Sequence, residues 1–169
     1  MTLDRMWAGW RSRYVSEVAG KDSGCFLCAI SELSDSDAVS EATLVLERTD
    51  TTLTVMNLYP SGSGHVLIAP RCHEGDLTKL SDEVSVALMR AQRRAVVALQ
   101  TAYGCEGINL GANLGIAAGA GVPRHLHFHV LPRWAGDTNF MTTVIETRVI
   151  PEALEIGWSK LRGAWPKAP

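Results

Sequence analysis

Histidine alternates with apolar residues in His125-Leu126-His127-Phe128-His129, and the run continues through Val130 and Leu131. Residues two apart in a β-strand point to the same face of a sheet. A strand at 126–131 would therefore carry a row of imidazoles on one face and an apolar row on the other. The apolar row belongs in a core, so the imidazole row must face a cleft.

Three of the five histidines of the chain lie in this pentad. The plain alternative is a half-buried strand whose outer face carries histidine by chance, and such clustering argues against it. A neutral imidazole can act as a nucleophile towards phosphorus, as a general acid or base near neutral pH, or as a metal ligand. Three imidazoles in a row allow these roles to be divided.

The segment directly before the strand, residues 113–124, is rich in Gly and Ala and contains no acidic residue. Small residues let backbone N–H groups approach a phosphate closely. A glycine-rich loop alone is weak evidence, because many loops are glycine-rich. Next to a row of imidazoles it predicts an anion cradle beside a nucleophile, which suits phosphoryl or nucleotidyl transfer.

The rest of the chain predicts one α+β domain. Aliphatic runs bounded by turn residues predict further strands at 44–48, 52–57, 65–69, 107–112 and 142–149. Apolar residues at steps of three or four predict a long helix within 77–102, with a break near Ser81. Short helices are expected at 26–33 and from Pro151 to about Leu161. The pattern favours an antiparallel sheet of about five strands, one long helix packed on it and a short C-terminal helix.

Composition narrows the class of protein. The 169 residues are 46% hydrophobic and 20% charged, which is enough apolar surface for a buried core. A formal charge of -2 argues against a protein that coats nucleic acid or an anionic membrane. The start of the chain has no apolar signal region, and no apolar run approaches the ~20 residues of a membrane helix. We therefore expect a cytoplasmic protein with reduced thiols.

The run from His125 to Trp134 resembles the signature of the histidine triad family of nucleotide hydrolases and transferases. Residues 64–70 resemble the strand that precedes the helix in this family. Segments 7–15 and 136–141 resemble a narrower branch, the diadenosine tetraphosphate phosphorylase-like bacterial proteins. The resemblance covers nearly the whole chain. It implies a single domain over 1–169, with an N-terminal arm and zinc-binding segment at 1–41, the core at 42–150, and a C-terminal helix and tail at 151–169.

The resemblance also implies residue roles. His127 is the expected nucleophile, which attacks the α-phosphorus of a nucleotide and forms a covalent nucleotidyl-imidazole. His129 is expected to bind phosphate oxygens and to polarise the reacting groups, and His65 to support the triad from behind by a hydrogen bond. The implied substrate contacts are Asn57 at the ribose, Asn113 near the phosphates, and the backbone N–H groups of Gly119, Ala120, Gly121 and Val122.

Two features separate this chain from many relatives. Val122-Pro123 stands where many carry Ser or Thr, so a hydroxyl contact to phosphate is missing. Transferase branches of the superfamily carry Gln in place of the third histidine. This chain keeps His129, as does the phosphorylase-like branch, so this position does not decide between water and phosphate as acceptor.

Three functions follow from the resemblance. The first is a phosphorylase that converts diadenosine tetraphosphate and phosphate to ADP and ATP. The second is a hydrolase that releases AMP from a dinucleoside polyphosphate or a nucleoside phosphoramidate. The third is a nucleotide-binding protein without catalysis, against which the intact triad argues.

Cys25-Phe26-Leu27-Cys28 is a C-x-x-C pair of the kind that supplies two thiolates to zinc. The resemblance implies that His73 and His125 complete a structural zinc site. The alternatives are a pair of metal-free thiols, or Cys72 as a rival ligand beside His73. The phosphates of the substrate could bring a divalent cation of their own.

Aromatic residues suggest contacts between subunits. Trp7, Trp10 and Tyr14 make an amphipathic arm that is costly to expose, so it should cover a neighbouring surface or its own sheet. Trp134 is expected to pack rather than to stack on a base. The family resemblance implies a homodimer in which two sheets are joined, or a higher homo-oligomer.

Two further groups of polar residues have ordinary interpretations. Arg90, Arg93 and Arg94 are expected to form a solvated helix face. Asp137 and Asn139 are expected to hold their loop by side-chain bonds to the backbone, with substrate contact as the alternative.

Overall fold

A computed structural model describes residues 24–33, 39–137 and 152–166. The predicted strand at 142–149, the aromatic arm and Asn139 lie outside the described residues. Within these ranges, five strands form one antiparallel sheet: β1 (Val45–Arg48), β2 (Thr52–Met56), β3 (Val66–Pro70), β4 (Gly107–Ala112) and β5 (Phe128–Arg133). Their order in the sheet is β1-β2-β3-β5-β4. The prediction of an α+β fold is confirmed, although β5 begins two residues later than expected.

In the described part of the chain, three α-helices accompany the sheet: α1 (Phe26–Ser31), α2 (Asp82–Tyr103) and α3 (Leu154–Ala164). The long helix α2 begins where the Ser81 hydroxyl accepts the N–H of Val84 at 3.3 Å, and it ends at Gly104 in the left-handed conformation. A short 3₁₀ helix over Leu77–Lys79 precedes it, so the break near Ser81 is confirmed. None of the described helices combines the length and the apolar composition that a bilayer crossing requires.

The sheet has a different cover on each face. On one face, Met56, Val66, Ile68 and Val130 pack with residues of α2 and α3. On the other face, a smaller cluster packs α1 against β1, β2 and β3; its buried members are Leu27, Val45, Leu53, Val55, Leu67 and Ala69. Burial of each such aliphatic side chain stabilises the fold by about 1.5–3 kcal/mol.

The register of β5 decides on which face the histidines lie. His129 stands opposite Leu67 of β3 and Gly111 of β4. Directly paired residues point to the same face, and Leu67 packs in the α1 cluster. The imidazole of His129 therefore lies on the face of α1, while Val130 points into the main core.

Arg94 does not belong to a solvated helix face, so this part of the prediction is wrong. Its guanidinium donates to Glu47 Oε2 from Nη2 at 2.6 Å and from Nε at 3.0 Å. The two side chains are only 14% and 11% exposed. This ion pair joins α2 to β1, whereas Arg90 and Arg93 are exposed as expected.

We expect Arg94→Ala to lower the free energy of unfolding by about 3–5 kcal/mol, because Glu47 would keep a buried charge without its partner. Urea unfolding measures the change. Arg93→Ala, on the exposed side of the same helix, is the matched control and should stay within about 0.5 kcal/mol of the parent. Equal losses in the two variants would contradict a role for the ion pair.

Candidate functional site

The triad begins where the chain leaves the regular sheet. The N–H of Leu126 donates to the carbonyl of Glu74 at 2.7 Å, outside the β-ladder. Gly75 permits this approach, since a Cβ there would lie 2.4 Å from the carbonyl oxygen of Pro123. The segment at 125–127 is thus packed against the loop after β3. His125 and His127 are almost completely buried, at 0% and 7% exposure.

The backbone fixes the tautomer of His127. Its Nδ1 lies 2.9 Å from the carbonyl oxygen of His125. A carbonyl can only accept, so Nδ1 carries the proton, and the lone pair of the neutral ring lies on Nε2. The ring centroid lies 5.1 Å from that of His129. The arrangement therefore provides an imidazole with a nucleophilic Nε2 next to a second imidazole.

A chain of hydrogen bonds fixes the tautomers of His65 and His129 as well. The N–H of Ser61 donates to His65 Nδ1 at 3.0 Å, and His65 Nε2 lies 2.9 Å from His129 Nδ1. Because His65 Nδ1 accepts, its Nε2 carries the proton and donates to His129. His129 in its neutral form then bears its proton on Nε2, on the far side of the ring from His65. The hydrogen bond from His65 Nε2 to His129 Nδ1 is the kind of contact that the expected support of the triad requires.

Asn57 is engaged with the protein itself. Its Nδ2 donates to His65 Nδ1 at 3.4 Å, and its Oδ1 accepts the N–H of Tyr59 at 2.9 Å. The side chain thus stabilises the turn between β2 and β3, and it contacts the ring of His65. The ribose contact implied by the resemblance stays a prediction.

The glycine-rich segment closes on itself as a compact loop. The carbonyl of Gly115 accepts the N–H of Ala120 at 3.2 Å, and the N–H of Gly119 donates to Ile116 at 2.9 Å. Asn113 Nδ2 donates to the carbonyl of Gly119 at 3.3 Å. The side chain of Asn113 therefore stabilises the conformation of this loop.

The four backbone amides that are expected to bind phosphate fall into two pairs, one hydrogen-bonded within the loop and one not. The N–H groups of Gly119 and Ala120 are used inside the loop. Those of Gly121 and Val122 have no hydrogen-bond partner within the part of the chain that the structure describes. Gly121 and Val122 therefore have the backbone donors available to an external acceptor, and the phosphate contacts of all four residues stay predictions.

The C-x-x-C pair and two histidines converge in a second cluster. One ligand atom from each of Cys25, Cys28, His73 and His125 lies within 4.8 Å of all the others. His125 Nδ1 lies 3.1 Å from Cys25 Sγ and 3.5 Å from Cys28 Sγ, and His73 Nδ1 lies 3.2 Å from Cys28 Sγ. In a tetrahedral zinc site, sulfur and nitrogen ligands are about 3.5 Å apart. The donor set and its spacing fit such a metal.

The surroundings of the cluster suit metal ligation. His125 Nε2 donates to the carbonyl of Pro70 at 2.8 Å, so Nδ1 presents a lone pair to the two sulfurs. Burial holds the pKa of His125 below its ordinary value and so keeps the ring neutral. Burial and the hydrogen bond with Cys25 raise the pKa of the Cys28 thiol to about 11, and a bound cation would reverse that shift. Cys72 is exposed and lies outside the cluster.

Sequence reasoning missed an ion pair at the end of the triad strand. Arg133 donates to both carboxylate oxygens of Asp137 and to Asn109 Oδ1 on β4. Asp137 Oδ2 also accepts the N–H of Trp134 at 3.3 Å, which is the loop-holding role expected for it. Trp134 packs edge-on against Tyr103 of the same chain, and the expected packing between subunits stays a prediction. Neither partner was foreseeable, because i,i+4 spacing brings side chains together on a helix, whereas Arg133 ends a strand and Asp137 lies in the turn after it.

Comparisons with known proteins agree with this geometry. The profile of the HIT domain matches residues 38–136. An AP-4-A phosphorylase from Mycobacterium tuberculosis is 33% identical over 169 residues, which cover 99% of this chain and 87% of that protein. An asymmetrical bis(5'-nucleosyl)-tetraphosphatase from Schizosaccharomyces pombe is 30% identical over 93 residues, which cover 55% and 50% of the two chains. Both named activities fall in the expected class of nucleotidyltransferases and nucleotide hydrolases.

A solved structure extends the agreement to the fold. A zinc-bound histidine triad family protein from Mycobacterium smegmatis is 27% identical and has a TM-score of 0.65, with 83% of this chain and 92% of that chain covered. The domain profile spans more than half of this sequence, and the first relative aligns over almost all of it. The chain therefore belongs to the histidine triad family.

Proposed function

We propose that this protein is a nucleotidyltransferase that cleaves dinucleoside polyphosphates through a nucleotide bound covalently to His127. One observation carries the proposal: the hydrogen bond from His127 Nδ1 to the carbonyl of His125 leaves the lone pair on Nε2. A nucleophile needs this tautomer in the resting state. The relative named AP-4-A phosphorylase supports diadenosine tetraphosphate as substrate and phosphate as acceptor.

The first step exchanges one bond for another. His127 Nε2 forms a bond to the α-phosphorus, and the bond from that phosphorus to its bridging oxygen breaks. The electron pair leaves with the oxygen of a nucleoside triphosphate. The imidazole becomes positively charged, and the His125 carbonyl that accepts from Nδ1 stabilises this charge.

The second step regenerates the histidine. An oxygen of inorganic phosphate attacks the same phosphorus, the phosphorus–nitrogen bond breaks, and its electron pair returns to Nε2. Diadenosine tetraphosphate thus yields ATP in the first step and ADP in the second. With water as acceptor, the second product is AMP. The intermediate is common to both reactions, so the acceptor decides between phosphorylase and hydrolase.

The remaining site residues position the phosphates. His129 would donate its Nε2 proton to a phosphate oxygen, with His65 fixing that tautomer. The amides of Gly121 and Val122 would bind a second oxygen, and Asn113 would hold their loop in shape. Asn57 would reach the ribose only by exchanging one of its present bonds.

We infer that Cys25, Cys28, His73 and His125 hold a structural zinc ion. Four protein ligands leave no open coordination position, so the ion would fix structure and take no part in the reaction. Its support is the convergence of the four ligand atoms and the zinc-bound relative. A divalent cation bound with the substrate would be a separate ion.

We further propose a homodimer joined through β4, in a cytoplasmic enzyme of one domain. β4 is an edge of the sheet among the described strands, and its Leu110 is half exposed. Edge strands with exposed apolar residues favour pairing with another strand.

The proposed cytoplasmic location has a separate basis. The free cysteines of the metal cluster suit a reducing compartment.

A product assay tests the proposed reaction. Purified protein is incubated with diadenosine tetraphosphate and Mg²⁺, with and without inorganic phosphate, and the nucleotides are separated. We expect ADP and ATP in equal amounts only when phosphate is present. AMP and ATP in both tubes would replace phosphorylase by hydrolase, a function that the tetraphosphatase relative favours. Absence of turnover in both tubes would reject dinucleoside polyphosphates as substrates.

A further inference from the structure

A cavity of about 680 Å³ opens between the loop that follows β3, which contains His73, and the loop that precedes β5. Cavities of roughly 300–1,000 Å³ accommodate ligands of nucleotide size. The residues that matter for its chemistry are Glu74, Asp76, Leu77, Leu114, Pro123 and Arg124.

The cavity adjoins the anion loop without being part of it. Leu114 and Arg124 flank the 119–122 segment in sequence, and both line the cavity. His73 lines it too, and its ring centroid lies 5.2 Å from that of His125 at the start of the triad. The close approach of Gly75 to Pro123 joins the two loops that form its walls. Pro123 and Arg124, which connect the 119–122 segment to His125 in the chain, therefore place the cavity next to both.

The two carboxylates of the cavity are engaged locally. Glu74 Oε1 accepts the N–H of Asp76 at 2.8 Å, and Asp76 accepts both the N–H and the hydroxyl of Thr78. Asp76 also lies 3.8 Å from the ammonium group of Lys79. These carboxylates are therefore directed at groups of their own loop.

Arg124 contrasts with them. Among the described residues it has no carboxylate within ion-pair distance, although two acids line the same cavity. An exposed guanidinium next to an anion loop is a ready partner for phosphate oxygens. Leu77, Leu114 and Pro123 offer apolar surface on which a base could pack. The guanidinium suits the phosphates and the apolar surface suits the base, so together they match a nucleoside polyphosphate.

We propose that this cavity binds the leaving half of the substrate, the nucleoside triphosphate that departs when His127 attacks. Arg124 contacts its phosphates, and the base packs against Leu77 and Leu114. The inference rests on the proposed function and adds to it a second nucleotide subsite and a specificity residue. In-line attack places the leaving oxygen opposite the attacking nitrogen, so the leaving half of the substrate needs a site of its own, away from His127 Nε2.

Kinetics with two substrates test the role of Arg124. Diadenosine tetraphosphate has a second nucleotide, whereas adenosine 5'-phosphoramidate has none. We expect Arg124→Gln to lower kcat/KM for the first roughly 10- to 100-fold, mainly through KM, and to leave the second within about 2-fold. Arg124→Lys should recover part of the loss, and Arg93→Gln on α2 is the control. Equal effects of Arg124→Gln on both substrates would overturn the proposal.

A binding experiment keeps the subsite testable if turnover fails. Protein saturated with AMP is titrated with ATP in a calorimeter, so that the site at the triad is already filled. We expect one further ATP per chain, with the affinity reduced by Arg124→Gln and by Leu77→Ser. If the AMP-loaded protein binds no ATP, the subsite is rejected. If it binds ATP but neither dinucleotide nor phosphoramidate is cleaved, the proposed reaction fails and the subsite stands.

Discussion

Replacement of His127 by Asn is expected to lower kcat for diadenosine tetraphosphate by on the order of 10⁵-fold, the scale seen when a covalent nucleophile is removed. The Asn side chain is close to imidazole in polarity, and it can still bond to the carbonyl of His125. The lone pair of its amide nitrogen is delocalised into the carbonyl group, so it cannot attack phosphorus. Substrate binding should therefore persist while the chemical step is lost, so KM should change much less than kcat.

Rapid acid or base quenching followed by mass spectrometry gives a second readout of the same step. The parent protein should show an adduct with the mass of one nucleotidyl group, stable in base and labile in acid as expected for a phosphorus–nitrogen bond. His127→Asn should show no adduct. His65→Gln is the matched control: it should slow turnover by about 10²-fold and still form the adduct, because it acts through His129. An adduct on the His127→Asn chain would refute the assignment of the nucleophile.

Loss of the metal cluster is expected to have the second large effect. Structural zinc contributes on the order of 10 kcal/mol of binding free energy in small domains. Cys25→Ser removes one thiolate from the four-ligand set, so the zinc content should fall from one ion per chain towards zero and the unfolding midpoint should drop by many degrees. Elemental analysis and thermal unfolding measure the two quantities.

Cys72→Ser is the matched control for this experiment. Cys72 is exposed and directly precedes His73, yet it lies outside the four-ligand cluster. The variant should keep its zinc and its unfolding midpoint. If Cys72→Ser loses zinc and Cys25→Ser retains it, Cys72 is the ligand and the inferred set is wrong. Loss of zinc should also lower kcat, since the backbone of His125 holds His127.

The alternation of His and apolar residues predicted the active face because period-two patterns survive wherever one face is buried. Val130 lies in the core and His129 on the opposite face, as expected. The beginning of β5 was not predictable. It depends on the bond between Leu126 and the carbonyl of Glu74, two segments about fifty residues apart in sequence that meet only in the folded chain.

The tautomers and the ion pair show a second limit of sequence reasoning. His65 was expected to support the triad, but the direction of its bonds depends on the backbone of Ser61. Arg94 shares a stripe of arginines with Arg90 and Arg93, and composition gives no reason to separate them. Only the register of β1 places Glu47 beneath that turn of α2.

The four residues proposed as metal ligands are distributed unevenly along the chain, and this has a consequence for folding. Cys25 and Cys28 are neighbours, but His73 lies 45 residues after Cys28 and His125 lies 100 residues after Cys25. A nascent chain would hold a metal ion through two thiolates only, and weakly. Full coordination requires β3 and β5 to be paired already, because His73 lies just after the end of β3 and His125 just before the start of β5. Tight metal binding would therefore come late in folding and would report a completed sheet, so that the ion locks a finished structure and does not nucleate it.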